Sequence, residues 1–177
     1  MPLITITMAD GGVITAELYP EKAPNTVHSF ISLAKSGYFE GRVFHRAKSG
    51  FMIQGGSPNG DGTSIGFSYS ITGEFAGNGF TQNDLKHTPG VLAMARTGDP
   101  NSAGCQFFIM HAAYPSLDGQ YAAFGMVTSG MEVVDKIVAM PTTGTPNDLL
   151  LTPVAIKSVA VDTFGVDYPA PEAIPAR

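Results

Sequence analysis

The four histidines are the side chains best suited to metal binding or acid–base work, and the sequence spaces them far apart. His28, His45, His87 and His111 form no HxH or HxxxH pair, the kind of spacing that brings two imidazoles to one metal ion. Each histidine is therefore expected to serve in packing or at the surface. The sequence predicts no metal site and no cofactor.

Nucleophilic and phosphate-transfer chemistry has little support in the sequence. No serine lies in a GxSxG turn, and no GxxxxGK[ST] loop occurs. The Asn-Gly-Asp-Gly loop at 59–62 has some likeness to a calcium loop, but it lacks the repeated acidic positions and the closing glutamate. Cys105 precedes a β-like run, which favours a buried structural thiol over a nucleophile. Hydrolase, kinase and redox functions are therefore poorly supported.

A third group of candidate residues lies in segments where apolar side chains surround a few polar ones. In chain order these segments are Phe44-His45-Arg46, residues 50–56 (GFMIQGG), Met94-Ala95-Arg96, residues 106–109 (QFFI) and Leu117-Asp118-Gly119. Taken singly, each is typical of an ordinary core strand. Their order along the chain is the distinctive feature, and it makes them the candidates for a functional site.

The elements that must position these segments begin with a hairpin and a helix. Residues 3–8 and 13–18 alternate in polarity around an Asp-Gly-Gly turn, which predicts a β-hairpin. Apolar residues at helical spacing predict a helix over 25–36, and Pro24 and Gly37 are suitable boundaries for it.

Short strands dominate the rest of the chain. A second helix fits 131–140, and the predicted strands are 42–45, 51–54, 91–94, 106–110, 122–127 and 153–161, the last with a shift of phase midway. The Gly-, Ser- and Asn-rich stretch 55–90 is predicted to form functional loops. Many short strands with only two helices indicate a mainly β fold, a closed antiparallel barrel with the helices capping its ends.

Composition excludes several classes of protein. With 177 residues, 21 Gly, 13 Pro and 44% hydrophobic residues, the chain fits one turn-rich domain and neither a disordered chain nor a helical bundle. The net charge is −5 and no run of Lys or Arg occurs, so nucleic acid is not expected as a partner. No membrane-spanning stretch and no signal peptide is evident, so we expect a cytoplasmic protein.

The ordered segments resemble the cyclophilin family of peptidyl-prolyl cis–trans isomerases. FHR, GFMIQGG, QFFI and LDG follow one another in the family's order and at its separations, and the resemblance covers about residues 3–161. The run ARTGDPNSAGCQFFI and the short surface loops look most like compact bacterial members. The resemblance implies a closed eight-stranded antiparallel β-barrel with two α-helices, formed by residues 1–161. It leaves 162–177 as a proline-containing tail, either an ordered strap on the barrel or a flexible end, and Phe164, Val166 and Tyr168 favour packing.

The same resemblance implies the site residues. Arg46 matches the catalytic arginine that donates to the prolyl nitrogen, and Gln54 would hold its guanidinium and reach the substrate carbonyl. The Ala95-Arg96 backbone would pair with an extended peptide, with Gln106 assisting from the side. An apolar slot would take the proline ring, lined by Phe51, Met52, Phe108 and Leu117 with Tyr121 at its rim.

Three positions depart from the best-known family pattern. Ser116 occupies the position of an aromatic residue that contacts cyclosporin-type ligands in many members, so such ligands are expected to bind only weakly. Tyr121 replaces a frequent His, and Arg96 replaces an Asn whose contact runs mainly through the backbone. Isomerase activity should survive all three changes.

Two alternatives to an active isomerase remain at this stage. The first is a non-catalytic module that binds proline peptides on the same barrel, and the retention of Arg46 and Gln54 argues against it. The second is a small-molecule carrier of the lipocalin sort, which requires an open interior, whereas the large side chains here suggest a filled core. For the isomerase, the expected partners are proline-containing peptides and unfolded or folding proteins, bound by a monomer.

Overall fold

The computed structural model describes residues 1–176, and eight of its strands close into an antiparallel barrel. The strands in chain order are β1 (Leu3–Met8), β2 (Val13–Leu18), β3 (Val43–Lys48), β4 (Met52–Gly55), β5 (Tyr69–Ser70), β6 (Val91–Met94), β7 (Phe107–Met110), β8 (Ala123–Ser129), β9 (Leu149–Asp162) and β10 (Ile174–Pro175). Around the barrel the order is β1-β2-β8-β6-β7-β4-β3-β9, and β5 pairs with β10 in a separate two-stranded sheet. The helices are α1 (Pro24–Lys35) and α2 (Met131–Val138). The predicted fold class is confirmed.

The opening hairpin follows from strict alternation of side chains. Ile4, Ile6 and Ile14 are fully buried while their neighbours along the strands are partly or fully exposed. The turn closes through a bond from the Met8 amide to the Gly12 carbonyl oxygen at 2.7 Å. This prediction is confirmed residue by residue.

The start of helix α1 is held by a carboxylate from a distant loop. The first amides of a helix have no partner within the helix, and a negative charge satisfies them well. Here Glu74, only 4% exposed, accepts hydrogen bonds from the amide and the hydroxyl of Thr26, both at 2.6 Å, and from the Asn25 amide at 3.2 Å. The loop between β4 and β6 is thereby fixed to the helix.

The interior of the barrel is filled by aromatic and aliphatic side chains. Phe30 of α1 packs edge-on against Phe107 of β7, with ring centroids 5.3 Å apart, and against Phe124 of β8 at 5.2 Å. Val134 and Ile137 of α2 belong to the same buried cluster. A filled interior does not fit the carrier hypothesis.

The last barrel strand is longer than predicted. It begins at Leu149 rather than at Pro153, because Leu149 pairs with Arg46 of β3 and closes the barrel there. The first residues of the strand do not alternate in burial, so the sequence pattern could not reveal them. The predicted change of phase is present, since Thr7 and Met8 of β1 pair with Ser158 and Ile156 and skip the residue between. Strand β6 matches the predicted 91–94, and the remaining predicted elements differ from the observed bounds by up to three residues at their ends.

The C-terminal tail lies along the barrel. Tyr168 packs on the core and against the His28 ring at 5.9 Å, whereas Phe164 and Val166 are 61% and 50% exposed, so the expected packing of these two was wrong. Further along, the Glu172 amide donates to Asn25 Oδ1 at 2.7 Å, and Asn25 Nδ2 donates to the Glu172 carbonyl at 2.9 Å. Within residues 1–176, no helix has the length and apolar character needed to cross a membrane.

Candidate active site

Nine of the ten predicted site residues line a single pocket of about 130 Å³ on the outside of the barrel. They are Arg46, Phe51, Met52, Gln54, Ala95, Arg96, Phe108, Leu117 and Tyr121. The tenth, Gln106, is buried behind Gln54 and reaches the site through it.

The floor of the pocket is the outer face of strands β4 and β7. Successive strand residues point to opposite faces, so Ile53 and Phe107 enter the barrel core while Met52 and Phe108 point outward. Both outward side chains are nonetheless buried, in a second apolar cluster that includes Met110. The barrel therefore carries two separate apolar clusters, and the outer one forms a slot large enough for a small ring.

The wall of the pocket is a loop held by His87 and Asp118. Asp118 Oδ1 accepts from the His87 amide at 2.6 Å and lies 3.1 Å from His87 Nδ1. Because a carboxylate only accepts, Nδ1 carries the proton, and His87 Nε2 is a buried acceptor with no partner among the described residues. Burial lowers the pKa of His87, and the bond to Asp118 opposes that shift. The His87 ring lies against Phe108 at 6.0 Å, so this pair fixes the wall to the floor.

Arg46 lies at the edge of the apolar slot. Antiparallel pairing places it opposite Gln54, and its Nη1 donates to Gln54 Oε1 at 3.4 Å. Nη2 lies 3.9 Å from Asp148 Oδ2, and the guanidinium carbon lies 6.0 Å from the Phe51 ring centroid. The Arg46 side chain is 31% exposed, and among residues 1–176 its Nε has no hydrogen-bond partner. Because Nε is buried, the terminal Nη1 and Nη2 N–H groups are the donors that can reach a bound molecule.

A chain of amide side chains orients Gln54. Its Nε2 donates to Gln106 Oε1 at 3.1 Å, and Gln106 Nε2 donates in turn to the Gly62 carbonyl at 2.9 Å and to Ser64 Oγ at 3.1 Å. Since the Gln54 amide nitrogen is used in this way, its carbonyl oxygen faces Arg46.

Hydrogen bonds and contacts with two aromatic rings hold the Arg96 guanidinium beside the slot. Its Nε and Nη2 donate to the Gln120 carbonyl at 3.0 and 2.7 Å, and its guanidinium lies over the rings of Tyr121 and Phe75 at 4.7 and 5.0 Å. The neighbouring Ala95 donates its amide to the Gln106 carbonyl at 3.0 Å. Ala95 and Arg96 therefore offer the slot mainly their backbone.

Several contacts of the site carried no sequence signal, although Asp118 lies in the predicted segment Leu117-Asp118-Gly119. Asp148 is buried beside Arg46 and follows a loop that is distant in sequence, and Asp118 and His87 meet only after folding. Cys105 is buried behind the site, and burial raises the pKa of its thiol, as expected for a structural cysteine. In the described part of the chain, no group of three or more His, Cys, Asp or Glu side chains is placed to hold a metal ion.

A closed barrel with an external apolar slot and an adjacent arginine defines a protein of the cyclophilin class. Residues 3–161 match the family model described as cyclophilin type peptidyl-prolyl cis-trans isomerase/CLD. The chain therefore belongs to the cyclophilin family, and it is a peptidyl-prolyl cis–trans isomerase.

Individual relatives agree with this assignment. Peptidyl-prolyl cis-trans isomerase B of Bacillus subtilis is 46% identical over 112 residues, which are 63% of this chain and 73% of that protein. A peptidyl-prolyl cis-trans isomerase of Synechococcus elongatus is 42% identical over 114 residues, 64% of this chain and 72% of that protein. A cyclophilin type isomerase of Cryptosporidium parvum, crystallised in the presence of the dipeptide Ala-Pro, has a TM-score of 0.77 at 28% identity, covering 91% of this chain and 99% of that one.

Proposed function

We propose that Arg46 catalyses rotation about the X-Pro bond by donating to the prolyl nitrogen. The planar bond has a barrier of about 18–20 kcal/mol, although its two isomers differ by only about 0.5–1 kcal/mol. In the twisted transition state the nitrogen loses conjugation and gains a localised lone pair. A donor aimed at that lone pair binds the transition state more strongly than the planar ground state, which is the condition for raising the rate.

The free donors of Arg46 are the observation that carries this proposal. A guanidinium has five N–H groups, and within residues 1–176 one hydrogen bond holds Nη1 to Gln54 while Nη2 lies 3.9 Å from Asp148 Oδ2. The remaining terminal N–H groups can serve the substrate. A permanent cation suits the task because no proton has to be transferred. Acceleration from about a hundred seconds to about ten milliseconds is four decades and takes about 5.5 kcal/mol, and a charge-assisted hydrogen bond supplies a large part of that.

The apolar slot binds the proline ring and positions it beside Arg46. Met52 and Phe108 form a buried floor that grips the proline while the flanking chain turns. The Ala95 amide is already bound to the Gln106 carbonyl, so the Ala95 carbonyl would pair with the extended substrate backbone. Since a proline ring and a backbone are common to all X-Pro sequences, we expect broad selectivity for X.

The proposed clients are unfolded and folding proteins of the cytoplasm, whose refolding is limited by proline isomerisation. We further propose that a monomer acts alone, because every residue of the slot comes from one chain. Weak cyclosporin binding is proposed because Ser116 is exposed beside the slot and offers no ring.

Exchange spectroscopy by NMR tests the mechanism directly. The cis and trans signals of a peptide containing Ala-Pro-Phe should exchange faster when micromolar protein is added. Binding shown by shifted peptide signals, without faster exchange, would instead favour the non-catalytic peptide-binding alternative.

A further inference from the structure

A second cavity, of about 560 Å³, lies between the C-terminal tail and the loop that precedes strand β7. Its apolar side includes the rings of Phe67 and Tyr69, and Ile174 and Ala176 of the tail form one wall. Ser102 lies on the opposite wall. We call this cavity the tail cleft.

The tail wall is held in place by main-chain hydrogen bonds. Ile174 and Pro175 pair with Ser70 and Tyr69 of β5, and the Ala176 amide donates to the Ser68 carbonyl at 3.0 Å. The side chain of Ile174 is exposed and is free to contact a bound molecule. The wall therefore has a defined backbone and an open face.

The tail cleft and the proline slot adjoin a common depression. A depression of about 210 Å³ lies between them and shares Ala95 and Arg96 with the slot. The same depression shares Ser102 and Gly104 with the tail cleft. Because the Arg96 guanidinium is bound to the Gln120 carbonyl, it is held at that end of the depression. The slot, the depression and the tail cleft therefore follow one another along the surface, and neighbouring members share lining residues.

We propose that the tail cleft is a distal subsite that binds residues flanking the X-Pro bond in an extended polypeptide substrate. This inference rests on the proposed function, since it assumes that a peptide lies along the Ala95-Arg96 backbone. An extended chain advances about 3.3 Å per residue, so a substrate reaches the cleft only when several residues flank the proline. The rings of Phe67 and Tyr69 suit an apolar side chain, and Asp99 in the lining disfavours an acidic one.

Two substrates and two matched variants test the subsite. The short peptide has about four residues around a central Ala-Pro, and the long one has about twelve, with neutral leucine-containing flanks on both sides. Ala176→Trp fills the cleft without removing a backbone hydrogen bond. Ala173→Trp, on an exposed tail residue outside the cleft lining, is the control.

In the unmodified protein we expect kcat/KM for the long peptide to exceed that for the short one by about tenfold, mainly through a lower KM. One or two added hydrogen bonds and an apolar contact would give a difference of that size. Ala176→Trp should remove this advantage and leave the short peptide unaffected, whereas Ala173→Trp should keep it. An unchanged advantage in Ala176→Trp, or an equal loss in both variants, overturns the subsite. Failure of the proposed mechanism has a different signature, since the short peptide itself would then not be isomerised.

Discussion

Arg46 and Gln54 face each other across strands β3 and β4, with Nη1 of the arginine 3.4 Å from Oε1 of the glutamine. Gln54 is oriented by Gln106, whose own amide is bound to a loop carbonyl and a hydroxyl. The direction of the guanidinium is therefore set by a series of hydrogen bonds that starts well outside the slot. This series makes separate predictions for the donor and for its support.

Replacing the donor should remove most of the activity. Arg46→Ala should lower kcat/KM at least about tenfold, because a charge-assisted hydrogen bond of about 1.5–3 kcal/mol is lost from the transition state. The measurement is the NMR exchange rate, with circular dichroism to show that the fold is intact. Lys48→Ala is the control, since it removes an exposed cation from the same strand. An unchanged rate in Arg46→Ala contradicts the electrostatic role.

Replacing Gln54 should lower kcat/KM less than replacing Arg46 does, and the size of this effect should depend on whether Arg46 is present. Gln54→Ala should lower kcat/KM by about threefold to tenfold, and the double variant with Arg46→Ala should be little slower than Arg46→Ala alone, because the two residues act as one unit. Gln120→Ala, on an exposed glutamine whose contact with Arg96 uses only its backbone, is the control. Fully additive losses would show that Gln54 acts independently.

A glycine behind the site should be among the least tolerant positions of the chain. Gly56 has φ +93°, and an added Cβ would collide with the Cys105 carbonyl oxygen, so Gly56→Ala should cost more than about 2 kcal/mol of unfolding free energy. Gly50 also has a positive φ, of +76°, but has open space around it. Gly50→Ala should therefore cost only about 1–2 kcal/mol. Urea unfolding measures both values, and equal costs would contradict the steric argument.

Stability should fall in mild acid because of two buried histidines. Burial lowers the pKa of His45 and of His87 below the ordinary value of 6.5. As pH falls through 6.5, the unfolded chain takes up protons that the folded chain does not. The free energy of unfolding is therefore at its full value above that pH and decreases below it. Thermal unfolding between about pH 7.5 and pH 5.5 should show the fall.

The single variants of these two histidines identify the groups responsible. His45→Gln and His87→Gln should each reduce the dependence of the melting temperature on pH over that range. His28→Gln, at a half-buried position beside Tyr168, is the control. If neither variant changes the slope, other groups cause the acid effect.

Cyclosporin should bind weakly and should bind better when a ring is restored. Ser116→Trp should raise the affinity at least about tenfold, since an indole packing beside Leu117 would bury considerable apolar surface. Isothermal titration calorimetry measures the change, and Ala160→Trp, on an exposed residue of β9, controls for nonspecific binding. Tight binding by the unmodified protein would contradict the assigned role of Ser116.

The sequence was sufficient for the opening hairpin because only one face of strands β1 and β2 is buried. Ile4, Ile6 and Ile14 alternate with more exposed residues, and that pattern is local. The ordered segments likewise located the slot, since their spacing matches a known family. In contrast, Asp148 and His87 acquire their partners through contacts between distant loops, which no local pattern encodes.

The smallest strands were missed for a related reason. Strand β10 consists of Ile174 and Pro175 and pairs with only two residues of β5, so its existence depends on where the tail lies. Short polar or proline-containing segments have no periodicity to detect. The start of β9 was missed because residues 149–151 are all leucine, so polar and apolar residues do not alternate there. In the structure Leu150 is buried and Leu151 beside it is largely exposed.

The carboxylate of Glu74 at the start of helix α1 has a consequence for the order of folding. It joins residues 25 and 26 to a residue 48 or 49 positions later in the chain. Closing a loop of that length costs conformational entropy. The other hydrogen bonds of a helix do not carry this cost, because they join residues close in sequence. The first turn of α1 is therefore completed only when the long loop reaches it, so these two segments gain their final structure in the same step.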